Sequence, residues 1–181
     1  MDSHTPIVKS AAPPAPAAVA SLVWADETAT RLFAARLAQQ AALANAFIAL
    51  QGDLGAGKTT LVRHLLQALG VQGRIKSPTY AVVESYELPE GRRAALNVWH
   101  FDFYRFCDPR EWEDAGFRDI FAGEGLKLAE WPEKAATVLP VADMEIHLST
   151  TTEDVRLVRL TAATATGRAL LDGCTASGVV D

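Results

Sequence analysis

The sequence predicts an α/β protein with a three-layer fold: a mixed, mostly parallel sheet flanked by helices, with antiparallel strands toward the C-terminus. Three observations predict it. The continuous apolar run "AFIALQ" (46–51) has strand length and suits a strand buried on both faces. A glycine-rich loop and an apolar-striped helix follow it directly, so strands and helices are mixed around one loop. Near the far end, "MEIHLS" and "DVRLVRL" alternate as a closing antiparallel pair.

Residues 1–20 are Ala/Pro-rich, with "AAPPAPAAVA" as their second half, and are expected to be a disordered leader. "SLVWA" reads as a short strand. "DETATRLFAARLAQQAAL" reads as a helix, with Asp26 as N-cap, Glu27 at the positive end of the helix dipole, and Ala29, Phe33, Leu37 and Ala41 on one face. After the glycine loop a helix is expected from Lys58 to Leu69. Leu61, Leu65 and Leu69 face one way with Val62 and Leu66 beside them, and Gly70 caps the end. "YAVVESYEL" and "AALNVWHFDFY" are strand-like and separated by the turn signal "PEGR". In the second, Trp99, Phe101 and Phe103 alternate with Val98, His100 and Asp102, giving one aromatic face and one that carries an acid. "DPREWEDAG" reads as a short capped helix, "LKLAEW" as a strand, and Pro132 as the start of another short helix. The last 20 residues are weakly patterned. The chain therefore divides into the leader 1–20, a domain over 21–161, and a weakly ordered or helical tail over 162–181.

Composition bounds the function. The 181 residues suit one domain, and 49% are hydrophobic, enough for a sizeable core. The net charge is −5 with no arginine-rich run, so the chain has no strong nucleic-acid footprint of its own. Cys107 and Cys174 form no CxxC pair, and the four histidines are scattered, which argues for reduced thiols and against zinc. No apolar run reaches the roughly 18 residues of a membrane span. Prolines crowd the place of a signal-peptide core, so a cytoplasmic protein is expected.

Gly52–Thr59 reads GxxxxGKT: Gly52, Asp53, Leu54, Gly55, Ala56, Gly57, Lys58, Thr59, with Thr60 following. It follows a predicted strand and opens a predicted helix, the context this phosphate loop requires, which makes the expected fold P-loop NTPase-like. Glycines let the backbone curl its N–H groups toward an anion, and the helix dipole adds to them. Lys58 supplies a point charge for the β- and γ-phosphates, Thr59 a hydroxyl for Mg²⁺, and Thr60 a hydrogen bond near the α-phosphate. The chain has no NKxD guanine-reading element, so ATP is the expected nucleotide.

Mg²⁺ needs a carboxylate beside Thr59, and such acids sit at ends of neighbouring strands. Asp102 in "HFDFYR" and Glu130 in "LAEWPE" both qualify. Either can bind metal while the other orients the attacking water. "KSPTY" (76–80) is a turn by composition, and in this context a switch loop whose Thr79 senses the γ-phosphate.

Taken together and in this order, "GDLGAGKTT", "KSPTY", "HFDFYR" and "EWPE" resemble the TsaE (YjeE) family, over roughly residues 22–160. The family's members are small bacterial P-loop ATPases required for threonylcarbamoyladenosine modification of tRNA. The resemblance implies ATP/ADP and Mg²⁺ as cofactors and slow intrinsic hydrolysis. It also implies action with TsaD and TsaB homologues, which carry out threonylcarbamoyl transfer, so that tRNA is met only through that complex. Carried onto this chain, it implies that Thr59 and Glu130 hold Mg²⁺, with Lys58 on the phosphates. Asp102 would orient or activate water, and Ser77, Pro78 and Thr79 would form a switch-like segment. It places Trp131 beside the nucleotide, with Glu27, Thr28 and Glu133 as further contacts. The leader, the tail and Phe103, where the family more often has leucine, depart from its pattern.

Two other functions fit the phosphate loop. A P-loop kinase would need an arginine-bearing lid, and the sequence has no clear lid segment; Arg105 and Arg110 are instead candidates for an arginine finger at the phosphate loop. A nucleotide-gated binding module would change partner affinity between ATP and ADP states without needing hydrolysis.

Overall fold

The computed structural model of the chain describes residues 16–88, 95–108, 110, 112, 115–151 and 154–176. The elements run β1 (Ala18–Trp24), α1 (Glu27–Ala38), β2 (Phe47–Gln51), α2 (Lys58–Leu69), β3 (Val83–Leu88), β4 (Leu96–Asp102), α3 (Phe117–Ala122), β5 (Leu126–Glu130), β6 (Met144–Thr150), β7 (Arg156–Ala162) and α4 (Ala165–Thr175), with 3₁₀ turns at Ala41–Asn45 and Pro132–Ala135. The strands form one sheet in the order β1-β7-β6-β2-β5-β4-β3. The middle ladders, β6 with β2, β2 with β5 and β5 with β4, are parallel. The margins, β1 with β7, β7 with β6 and β3 with β4, are antiparallel.

β2 is central because its residues are apolar on both faces. Ile48 and Leu50 join a core under α1, α2 and α4, built from Phe33, Leu37, Leu61, Leu65, Leu66 and Leu170 among others. Phe47 and Ala49 point the other way, into an aromatic core with Phe101, Phe103, Phe106, Trp112 and Phe117. The period of two along β4 thus sends its phenylalanines to one layer and His100 and Asp102 to the other, the face on which α2 lies.

Most predicted elements form, with differences at their ends. β1 starts at Ala18, inside the stretch read as leader, because β7 offers a seven-residue partner from Ala18↔Ala162 to Trp24↔Arg156. α1 begins as expected, with the Asp26 carboxylate accepting from Ala29 N–H at 3.0 Å. It ends at Ala38 rather than Leu43. The Gln40 backbone is extended, and the following 3₁₀ turn drops Leu43 into the core while Ala41 stays in solvent. Tyr80–Val82, read as strand, is a turn: Val82 N–H donates to Pro78 O at 2.7 Å, and β3 starts one residue later. Phe103 and Tyr104 lie just past β4, and Phe103 N–H is taken by Glu130 O at 3.0 Å. The turn "PEGR" and most of the helix "DPREWEDAG" lie outside the described residues. α3 was not apparent from the sequence. The weakly patterned tail carries α4, capped by the Thr164 hydroxyl accepting from Gly167 N–H at 3.0 Å and burying Leu170, Leu171 and Cys174.

Candidate functional site: a phosphate loop beside two neighbouring carboxylates

The loop between β2 and α2 is made by three glycines in the left-handed region, Gly52 (φ 133°), Gly55 (82°) and Gly57 (105°). At Gly52 no other residue fits, because a Cβ there would stand 2.2 Å from the Leu148 carbonyl oxygen of β6. Lys58, buried at the start of α2, curls back on the loop. Its ammonium donates to Gly52 O at 2.5 Å and Asp53 O at 2.9 Å, and lies 3.9 Å from the centre of the Trp131 ring. Burial pushes the Lys58 pKa down, against the opposing pull of Glu130, Glu133, Asp102 and Asp53.

Parallel pairing sets the acids side by side. The β4–β5 register places Asp102 opposite Glu130 at the carboxyl ends of adjacent strands, the edge that faces the loop. Glu130, 2% exposed, has one polar partner at each oxygen. Thr59 Oγ1 donates to Oε2 at 2.9 Å, and His100 Nε2 lies 2.8 Å from Oε1. Thr59 and Glu130 therefore present hard oxygen donors at one point, which fits Mg²⁺, a cation that takes one or two protein oxygens and completes its sphere from phosphates and water. Among the described residues no group of three or more His, Cys, Asp or Glu converges as a metal cage.

Asp102, 3% exposed, is engaged differently. Its Oδ2 accepts from the hydroxyls of Ser77 and of Thr79, the latter at 2.9 Å, and its Oδ1 accepts from Tyr104 N–H at 2.9 Å. Its backbone N–H donates to Val82 O at 2.9 Å. The segment 77–82 is thus fastened to Asp102 at both ends. It contains strained backbone: Val82, a β-branched residue, has φ 66°, and Trp131, on the other side of the site, has φ 56°. Such residues cost about 1–3 kcal/mol each and are held only where surroundings fix them.

Two clefts meet at the loop. One, of ≈ 270 Å³, is lined by Lys58, Thr59, Ser77, Asp102, Glu130 and Trp131, with Leu54 and Tyr104 at its rim. The other, of ≈ 110 Å³, is lined by Trp24, Asp26, Glu27, Thr30, Asp154 and Arg156. Both also include Gly57 and Thr60, so one elongated ligand can cross from the first to the second. Glu27 carries a contact from His64 at 2.8 Å. Thr28 lines neither cleft, and Glu133 lines a separate apolar cleft with Pro132 and Leu139, reaching Lys58 only through its charge. Arg105 stacks on Tyr80 at 4.3 Å and Arg110 pairs with Asp108 at 2.8 Å. Sequence reasoning missed His100 and Arg156. The guanidinium of Arg156 donates to Ala56 O at 3.0 Å from 100 residues away. Nothing local marks Arg156, whereas the alternation that exposed Asp102 also put His100 on the same face.

Comparison with known proteins identifies a family. Residues 24–158 match the family described as "Threonylcarbamoyl adenosine biosynthesis protein TsaE". The chain is 44% identical over 122 residues to the tRNA threonylcarbamoyladenosine biosynthesis protein TsaE of Haemophilus influenzae, covering 67% of this chain and 73% of that one. It is 34% identical over 115 residues to the protein of the same name from Bacillus subtilis, covering 64% and 68%. The crystal structure of Bacillus subtilis YdiB superposes with a TM-score of 0.67 at 24% identity, covering 88% of this chain and 96% of that one, and so shares the fold.

Proposed function

The chain belongs to the TsaE family, proteins of tRNA threonylcarbamoyladenosine biosynthesis, and from that premise we propose that it is a slow ATPase whose nucleotide cycle drives turnover of the threonylcarbamoyl-transfer complex formed by TsaD and TsaB homologues. The observation that carries this reading is the convergence of Thr59, Glu130 and Asp102 at the mouth of the Gly52–Thr59 loop.

In this reading ATP lies across the two clefts, its base toward Glu27, Thr30 and Arg156 and its phosphates along the loop. The glycine-shaped backbone turns N–H groups to the phosphates, and Lys58 exchanges its loop carbonyls for phosphate oxygens. Thr59 and Glu130 hold Mg²⁺, which neutralises charge on the phosphates. Asp102 positions the attacking water once Ser77 and Thr79 leave it. Phosphoryl transfer asks little covalent chemistry of a protein, so positioning and charge are what these residues supply. Hydrolysis is slow in the isolated chain because Asp102 is shared with the switch segment, and the partner complex speeds it by drawing that segment away. The −5 net charge favours meeting tRNA through the partners.

The test is multi-turnover tRNA modification by a TsaD–TsaB pair supplied with threonylcarbamoyl adenylate. Wild-type chain plus ATP is expected to sustain product formation beyond the first turnover, and Lys58→Ala is not. Equal product with and without the chain refutes the reading.

A further inference from the structure

We infer that His100 is the positioning residue of Glu130, holding one carboxylate oxygen so that the other stays directed at Thr59 and the cation. The inference rests on the reading of Glu130 as a metal ligand and adds a residue to it.

His100 has no solvent exposure, and its strand partner across the β4–β5 ladder is Leu128. Val98, two residues earlier on the same face, belongs to the apolar core. A side chain of leucine or phenylalanine shape would be the undemanding occupant of such a place, since a buried polar ring must find partners. The imidazole finds one. Its Nε2 lies 2.8 Å from Glu130 Oε1, while Nδ1 is buried with no hydrogen-bond partner among the described residues. The two facts fix the tautomer. A proton on Nδ1 would be a buried donor with no acceptor, and Nε2 would then face a carboxylate with no hydrogen to offer. A proton on Nε2 satisfies Oε1 and leaves only a lone pair unmatched.

Because Oε1 is held by the ring and Oε2 by the Thr59 hydroxyl at 2.9 Å, the carboxylate plane of Glu130 is set from two sides. Oε1 is tied down within the sheet, so Oε2 is the oxygen left to face a ligand. Outer partners of this kind orient the ligand, and their loss typically costs roughly 10–100-fold in metal affinity.

The test compares wild type, His100→Phe and His100→Gln as full chains, by measuring ATP affinity across a Mg²⁺ titration and again in EDTA. The glutamine amide can carry an N–H to the Nε2 position, whereas phenylalanine fills the space without a donor. His100→Phe is expected to need roughly 10–100-fold more Mg²⁺ while its affinity in EDTA is unchanged, and His100→Gln is expected to recover most of the loss. Unchanged Mg²⁺ dependence in His100→Phe overturns the inference, as does an equal loss with and without Mg²⁺, or a folded His100→Gln that rescues nothing. A wild type whose nucleotide affinity ignores Mg²⁺ would instead remove Glu130 as metal ligand, and the inference with it. Imidazole ¹⁵N chemical shifts of the wild-type chain decide the geometry without any variant. The Nε2–H tautomer is expected, and an Nδ1–H tautomer refutes the contact as described.

Discussion

Replacing Asp102 by alanine should loosen the switch segment and stop hydrolysis while leaving ATP binding in place. The carboxylate receives three donors, the Ser77 and Thr79 hydroxyls and Tyr104 N–H. Hydrogen bonds to a charged group contribute about 1.5–3 kcal/mol each. The full sum will not appear, because Ser77 and Thr79 line an open cleft where water can replace the lost acceptor, and because removing Asp102 relieves its repulsion with neighbouring Glu130. The net loss is about 3 kcal/mol, which for a chain of this size lowers Tm by roughly 6–12 °C. Hydrogen exchange should report where the loss falls: amides of residues 77–82 should exchange faster, and those of β2 and α2 should not. Single-turnover assays should show ATP bound and not cleaved. An unchanged Tm with unchanged exchange at 77–82 would refute the claim that Asp102 fastens this segment. Normal cleavage by the variant would remove Asp102 from the chemistry.

Other expectations follow from single contacts. Gly52→Ala places a Cβ 2.2 Å from the Leu148 carbonyl oxygen at φ 133°, so it should abolish nucleotide binding and lower Tm, and wild-type ATP affinity would contradict the packing described. Glu130→Ala should erase the Mg²⁺ dependence of nucleotide affinity; a variant that keeps it takes Glu130 off the ligand set. Burial pushes the Cys174 thiol up to about 11, while the unfolded thiol titrates near 9. The raised pKa means that this group's contribution to stability is intact below pH 9 and is lost as pH rises toward 11, by about 1.4 kcal/mol per unit. Cys174→Ala should flatten that slope in urea unfolding, and an identical slope would show that other groups cause it. Exposed Cys107 should react with a maleimide in the folded chain and Cys174 only on unfolding.

What the sequence revealed depended on whether the signal was local. The phosphate loop was legible because glycine, lysine and threonine act where they stand, and β2 and α2 because their apolar periods differ. The facing of β4 was legible for the same reason: alternation alone separates Phe101 and Phe103 from His100 and Asp102. Pairing was legible for the closing antiparallel strands, β6 with β7, and not for most of the sheet. "SLVW" was legible as a strand, but nothing in "AVA" before it announces one, since alanines carry little pattern, and β1 reaches back to Ala18 because β7 presents a full register to it. The break in α1 was hidden because "AQQAAL" has good helix formers throughout, and burial of Leu43 overrides them. Arg156 reaches the loop from the last strand, so only the sheet order brings it there. His100 was read as one of four scattered histidines, and its meaning came from the β4–β5 register that sets Glu130 within its reach.

The most direct test of the central claim is the steady-state rate of ATP hydrolysis by the purified chain, alone and with a TsaD–TsaB pair and tRNA. The account predicts a low rate alone that rises when the pair is added, because the partner draws Ser77 and Thr79 off Asp102. A rate that ignores the pair, but is switched on by a small phosphate acceptor, would contradict it and make the chain a kinase.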